Sequence, residues 1–510
     1  MNVVRLALDN INKYGEYVFL KFNGREYTNI ELERFSNRLG HGLQQRGLQK
    51  DERVLVFLHN MPEVIISYYA ILRAGALVVP VNPQLGAQEL AYIIDHSEAA
   101  MIICSARLSA TVRQAQELAA VESLVIVVGE DSEGDFIPIG ECYVEDDELL
   151  MVDRPGDAGA AIIYTSGTTG IPKGVILSHL NLYMEGHSDI QVMGLIGSDG
   201  SRLIDKINLL VVLPLTHVYG LCTMAVAYLT GGTIFLLPGF NIEQILESIQ
   251  TNEITVFGGI PVMYAALAAY PAAEDYNVSS VVRWLCGAVP LSSEVRHSFE
   301  KRYQAIILEG YGLTETVAGF SLQRHDRLIK PGSVGQPIVC AEIRVADDEG
   351  RPLPPGHIGE FSIKGSNVMK GYYKNDAETA RIIRDGWLYT GDIGYMDEDG
   401  DIFLIERKND LIKCAGLTIF PSEVEEVLCS HPDIDKAAVL GIPDEKGSKQ
   451  VGAFIVLKKG AKTSPASIQD YCRESLAEYK IPHYIEFCDD LPKNELGRIL
   501  RKELKQKVNN

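Results

Sequence analysis

Eleven consecutive residues, Tyr164-Thr-Ser-Gly-Thr-Thr-Gly-Ile-Pro-Lys173-Gly174, gather three glycines, four aliphatic hydroxyls and one ammonium directly after an apolar run at 160–163. Glycine lets a backbone wrap closely round an anion, hydroxyls donate to phosphate oxygens, and a lysine adds a point charge. Thr165, Ser166, Gly167, Thr168, Thr169, Gly170 and Lys173 are therefore candidates for holding phosphates. The spacing is not that of the GxxxxGK[ST] loop, because Lys173 follows Gly167 by six positions and is itself followed by glycine. A short run of Gly, Ser and Thr is usually a surface turn; the full string reverses those odds.

Two further segments offer complementary chemistry. In Glu309-Gly-Tyr-Gly-Leu-Thr-Glu315-Thr316, Tyr311 stands between Gly310 and Gly312, a ring with open backbone on both sides and suited to stacking on a flat base. Thr314 can donate to a phosphate oxygen, and Glu315 is a hard oxygen ligand of the kind Mg²⁺ takes. In Trp387-Leu-Tyr-Thr-Gly-Asp392 the aspartate can accept from both hydroxyls of a ribose, and Glu406-Arg-Lys-Asn-Asp410 follows it. Each alone is weak, since glycines and acids often make plain turns.

The elements around these segments are those of a layered α/β protein. Residues 28–31 form a capping box before a helical stretch, 54–58, 76–81, 99–104 and 124–128 read as strands, and 65–73 and 86–95 read as helices. Continuous apolar strands alternating with helices predict a mainly parallel sheet covered on both faces. Between about 332 and 405 short β-rich runs (342–345, 359–364, 402–405) and turn clusters predict a small antiparallel barrel or sheet. Beyond 411 the pattern is α+β, with helices at 422–428 and 468–476 and strands at 437–442 and 452–456. The expected division is a large domain over 1–406, including the β-rich subdomain, and a small mobile domain over 411–510.

Composition removes several classes of function. A net charge of −21 over 510 residues argues against a nucleic-acid partner and against docking on anionic lipid through a basic face. Nine cysteines without paired spacing fit a reduced cytoplasmic compartment better than a disulfide framework or zinc site. The amino-terminal segment reaches acidic and polar residues too early for a signal peptide, and runs such as 209–215 are too short to span a bilayer.

Taken together, the three segments resemble the superfamily of adenylate-forming enzymes: acyl-CoA synthetases, peptide-synthetase adenylation domains and firefly luciferase. Weaker strings recur in the same order, at 213–220, 258–261, 286–290, 332–335, 356–360 and 368–373, so the resemblance covers nearly the whole chain and is closest in pattern to bacterial fatty acyl-CoA synthetases. It implies that 165–173 cradles the β- and γ-phosphates of ATP, that Gly310, Tyr311 and Gly312 hold adenine, and that Thr314 contacts the α-phosphate. It implies Glu315 as the Mg²⁺ ligand, Asp392 and Arg407 on the ribose, and His217, Gly258, Gly287 and Ala288 beside the acyl group. Asp410 matches the hinge of the small domain, and Gly416 lies in the loop that approaches the thiol. The implied reaction joins a small-molecule carboxylic acid to ATP as an acyl-adenylate, then to a thiol, most simply CoA, releasing AMP and pyrophosphate.

One position departs from the family pattern. The family ends its carboxy-terminal signature P-K-x-x-x-G-K on a catalytic lysine, whereas Pro492-Lys-Asn-Glu-Leu-Gly-Arg498 ends on arginine, a planar fork and not a compact ammonium. Either Arg498 takes the role, or Lys493 or Lys502 does, or adenylation is slow. A non-catalytic acyl or nucleotide sensor is the alternative of another class; a free-standing ligase of an acyl carrier protein and a luciferase-like oxygenase share the ATP motifs. Adenylation domains for α-amino acids usually carry an aspartate in the fourth family motif, and Leu215-Thr-His-Val-Tyr-Gly220 has none. The candidate pocket strings 221–227, 260–264 and 288–291 are mostly apolar, so an aliphatic or aryl acid is expected.

Overall fold

The structure, a computed structural model, describes residues 2–130, 134–165, 172–197, 200–414, 417–443, 449–493 and 499–509. The chain divides into two compact units: residues 1–331, 335–342 and 363–388 form the first, and 332–334, 343–362 and 389–510 the second.

The first unit is built on two large sheets. One has eight strands, in the order Gly371–Tyr372, Lys173–Ser178, Gly159–Thr165, Leu77–Pro80, Arg53–Phe57, Ala99–Ser105, Leu124–Val128 and Ile137–Pro138. From Gly159–Thr165 onward its neighbours pair in parallel, as continuous apolar strands predict. Period-two alternation splits its side chains between two cores: Val54, Val56, Val78, Met101 and Ile103 enter one, and Leu55, Phe57, Val79, Ile102 and Cys104 the other.

The second sheet has nine strands, in the order Gln336–Pro337, Ser321–Leu322, Ile307–Tyr311, Arg283–Cys286, Val256–Gly259, Asn208–Val211, Thr233–Leu236, Val18–Phe22 and Arg25–Thr28. Its centre, from Ile307–Tyr311 through Val18–Phe22, is parallel. The helices His179–Val192 and Val218–Thr230 contribute Leu182, Ile190, Leu221 and Met224 to a core that also takes Val54 and Val56 from the first sheet and Leu209 and Val211 from the second. The two sheets and these helices thus share one apolar interior.

In the second unit, strand Trp387–Met396 pairs antiparallel with Ile402–Arg407 within a five-stranded sheet, the β-rich texture read at 332–405. A three-stranded sheet follows, Ile434–Pro443, Lys449–Leu457 and Tyr484–Phe487, with helices Pro421–Cys429, Pro465–Arg473 and Arg501–Asn509. Val424, Leu428, Ile468 and Cys472 bury one face of this sheet, and Leu491 and Leu504 share the core on the other with Leu440 and Phe454. The expected mixture of layered α/β sheets, a β-rich portion and an α+β carboxy-terminal portion is what the chain forms.

Candidate active site

In an open parallel sheet, ligands bind beyond the carboxyl ends of the strands. In the nine-stranded sheet these ends are Val211, Gly259, Cys286 and Tyr311, so the segments leaving them, 212–217, 260–261, 287–291 and 312–316, are the candidates for the site.

Tyr311 is the last residue of its strand, one step before the turn the sequence suggests. Its ring meets Phe320 edge-on at 4.5 Å. The flanking glycines are not open, as the sequence reading supposed. A Cβ on Gly312 would come 1.6 Å from the Ala318 carbonyl oxygen, and one on Gly310 would meet Leu322 at 3.0 Å. Glycine is required here because residues 318–322 fold back against 310–312. The return uses Val317 at φ 67°, and Ala288 near the next strand end has φ 72°. Such strain in non-glycine residues clusters at functional sites. Gly287 has room, with its nearest neighbour the Gly310 carbonyl oxygen 3.5 Å from a built Cβ.

Thr314 opens a short 3₁₀ turn, Thr314–Thr316, which the Leu313 amide caps by donating to the Thr316 hydroxyl at 3.1 Å. Glu315 is fixed from both ends. Its carbonyl accepts from the Met369 amide at 2.8 Å, and its carboxylate Oε1 accepts from the Tyr372 hydroxyl at 2.8 Å. Burial, reinforced by the Glu315 charge, pushes the Tyr372 phenol far above its ordinary pKa, so it stays a donor.

Lys173 reaches the same place from the other large sheet. Strands Gly159–Thr165 and Lys173–Ser178 pair antiparallel, with Thr165 opposite Lys173. Ser166 to Gly170, and Ile171, lie outside the described residues. The Lys173 ammonium pairs with Glu378 and stands 5.1 Å over the Tyr372 ring. Arg381, through bonds of 2.7 and 2.9 Å, and then Lys173 hold the Glu378 carboxyl down at about 2. Tyr372 and Glu378 were not among the residues singled out from sequence. The string 368–373 is the signal that could have found Tyr372; Glu378 lies in a polar helix start with no motif of its own.

His217 caps the helix Val218–Thr230, its Nδ1 accepting from the Tyr219 amide at 3.2 Å. The ring is accessible to solvent yet closely surrounded by protein, and desolvation lowers its pKa. Tyr219 lies over Gly258, where a Cβ would meet the Tyr219 hydroxyl oxygen at 1.8 Å. Tyr219 thus packs on Gly258, and His217 stands two residues before it at the start of the same helix.

In the second unit, Asp392 is 8% exposed and Arg407 binds it at 2.7 Å. Thr390 orients the turn: its hydroxyl donates to the Phe361 carbonyl at 3.0 Å and accepts from the Asp392 amide at 3.0 Å. Asp410 follows, its amide donating to the Arg407 carbonyl at 2.9 Å and its carboxylate 3.7 Å from Arg501. Arg501 binds Glu425 more closely, at 2.6 Å. Gly416 and Arg498 lie outside the described residues.

A nucleotide-dependent, acid-activating ligase is the class that comparison with known proteins shows. The chain matches the family model described as AMP-binding enzyme over residues 8–373, and the AMP-binding enzyme C-terminal domain over 423–498. It is 34% identical to the long-chain-fatty-acid–CoA ligase of Bacillus subtilis, across 98% of this chain and 93% of that protein. It is 32% identical to a crotonobetaine/carnitine–CoA ligase of Escherichia coli, across 94% and 93%. Among solved structures, ATP-bound MatB from Rhodopseudomonas palustris superposes with a TM-score of 0.88 at 29% identity, covering 100% of this chain and 99% of that one. The chain belongs to the AMP-binding enzyme family. It is an adenylate-forming enzyme, one that activates a carboxylic acid with ATP.

Proposed function

We propose that this protein joins a carboxylic acid with a largely apolar body to CoA through an acyl-adenylate, with the residue roles that follow. The observation that carries the reading is the meeting of Lys173, Tyr372 and Glu315, which brings a cation and a carboxylate to the carboxyl end of a parallel sheet. The curated relatives named as CoA ligases support CoA as the acceptor.

In the first step a carboxylate oxygen attacks the α-phosphorus of ATP, and the bond to the pyrophosphate oxygen breaks. Both reactants are anionic, so cations must offset repulsion and stabilise the leaving group. Lys173, with residues 165–170, meets the β- and γ-phosphates; Thr314 donates to the α-phosphate; Tyr311 packs on adenine between Gly310 and Gly312. Asp392 and Arg407 bind the ribose, and Arg498 takes the place of the family's final lysine. The acid lies beside His217, Gly258, Gly287 and Ala288. In the second step the thiol sulfur attacks the acyl carbon, its proton leaves to solvent, and the bond to AMP breaks. The two steps need different surroundings, which rotation of residues 411–510 about Asp410 provides.

Glu315 fits a divalent cation. Among the described residues no cluster of three or more His, Cys, Asp or Glu is arranged to hold a metal. Mg²⁺ needs no such cage, since it binds through one or two carboxylates with phosphates and waters. Bound there, it would supply charge neutralisation on the phosphates.

No helix among the described residues is long and apolar enough to cross a membrane. All nine cysteines are free, which supports a cytoplasmic setting. The test is product analysis with a panel of acids, ATP, Mg²⁺ and CoA: an acyl-CoA and an equal amount of AMP are expected. Acyl-adenylate that accumulates unchanged by CoA would remove CoA as the acceptor.

A further inference from the structure

Two carboxylates one turn apart on the helix His179–Val192 have no place in the roles above. Glu185 is fully buried and accepts from the Gly319 amide at 2.8 Å, from Asn367 at 3.0 Å and from the Cys340 thiol at 3.8 Å. Its site is satisfied, and Gly319 belongs to the loop that follows Glu315. Asp189 differs: among the described residues no side chain or amide donates to it, and no cation faces it. The groups around it are Glu185 and Ser188 on its own helix, Tyr219 and Cys222 on the helix Val218–Thr230, and Cys340.

The crossing of the two helices shows which way Asp189 faces. Gly186 lies against Ala225, where a built Cβ would come 2.7 Å from the alanine Cβ. One turn on, Asp189 comes to the level of Cys222, and one turn beyond that is Tyr219, whose hydroxyl lies on Gly258. Asp189 keeps partial accessibility although protein surrounds it, as His217 and Tyr219 do. A carboxylate with no donor, walled by thiol, phenol and apolar groups, is costly to ionise. A cation arriving with the substrate would relieve that cost.

We propose that the acid carries a cationic group, an ammonium or quaternary ammonium, at the end remote from its carboxylate, and that Asp189 receives it. This rests on the proposed function and names its substrate class. An apolar body fits the walls of residues 221–227, and the acidic end is supplied by the helix after the phosphate-binding loop, not by the fourth family motif.

The probes are γ-trimethylammoniobutyrate and its neutral isostere with a quaternary carbon in place of nitrogen, compared by acid-dependent exchange of pyrophosphate into ATP. The cationic acid should be favoured in kcat/KM by at least about tenfold, as for a desolvated charge pair. Asp189→Asn, close to isosteric, should abolish or invert the preference while exchange with the neutral acid persists. Asp189→Glu should retain part of it. Equal use of both acids by the parent, or a preference for the cation left intact in Asp189→Asn, would overturn the inference and leave the proposed function standing. Absence of exchange with every acid of a broad panel would overturn both.

Discussion

The Tyr372 hydroxyl donates to the Glu315 carboxylate at 2.8 Å, and the face of the same ring carries the Lys173 ammonium at 5.1 Å. One aromatic side chain therefore ties the carboxylate suited to a metal to the cation suited to phosphate. Lys173 opens a strand of the eight-stranded sheet, Glu315 lies in the turn that follows a strand of the nine-stranded one, and Tyr372 is the last residue of a short edge strand, Gly371–Tyr372, paired with the Lys173–Ser178 strand. A partner outside the ligand set commonly fixes the orientation of a ligating group.

Tyr372→Phe keeps the ring and removes the donor. The Mg²⁺ concentration that half-saturates acid-dependent exchange should rise on the order of tenfold, the usual cost of losing such a partner. Mn²⁺ binding followed by electron paramagnetic resonance should weaken in parallel in the presence of ATP. An unchanged metal requirement would show that the hydroxyl does not position Glu315.

Glu378→Gln removes the charge facing Lys173. An ammonium has three donors, so Lys173 can keep one bond to Glu378 and aim the others at phosphate. With that anchor lost, the KM for ATP should rise by about tenfold, the equivalent of one charge-assisted hydrogen bond, with a smaller change in kcat. Tighter ATP binding would mean instead that the pair blocks the site until ATP displaces it.

Asp189 should carry a cost in stability that depends on pH. Desolvation raises its pKa above the ordinary value of 3.8. The folded state then binds a proton the unfolded state has lost, so stability is present at acid pH and falls as pH rises through the folded pKa. Asp189→Asn lacks this loss, and its melting temperature should exceed the parent's by a margin that grows from the unfolded pKa of 3.8 up to the folded value of about 7 and is constant above it. A margin independent of pH would argue against a strained carboxylate.

Asp410→Pro fixes φ at the proposed hinge and removes the amide that donates to the Arg407 carbonyl at 2.9 Å. Exchange of pyrophosphate into ATP should persist, whereas acyl-CoA formation from pre-made acyl-adenylate should fall on the order of a hundredfold or more. Equal loss of both half-reactions would count against rotation about this residue.

Much of this was legible in local patterns. The Thr28 to Glu31 capping box forms, with the Glu31 amide donating to the Thr28 hydroxyl at 3.1 Å, and the strand read at 124–128 has those bounds. Both signals lie within a few residues. The pairing of Lys173 with Glu378 spans 205 residues, and no periodicity encodes it. The strand Lys173–Ser178 was missed because three apolar residues after a loop are too few to separate strand from turn. Asp189 was missed for another reason: the helix His179–Val192 buries polar residues such as His179, Asn181 and Ser188 beside apolar ones, so its inward face does not read as a hydrophobic stripe. The apolar residues read at 221–227 are buried in the core on the helix Val218–Thr230, and the acid opposite them could be seen only once the two helices crossed.

The central claim is that this site activates an acid by transferring adenylate to it before any thiol takes part. Radiolabelled pyrophosphate should exchange into ATP when a suitable acid and Mg²⁺ are present and CoA is absent, and should not exchange when the acid is omitted. Complete turnover should then yield AMP. Exchange that requires CoA, or ADP as the stoichiometric nucleotide product, would contradict the account.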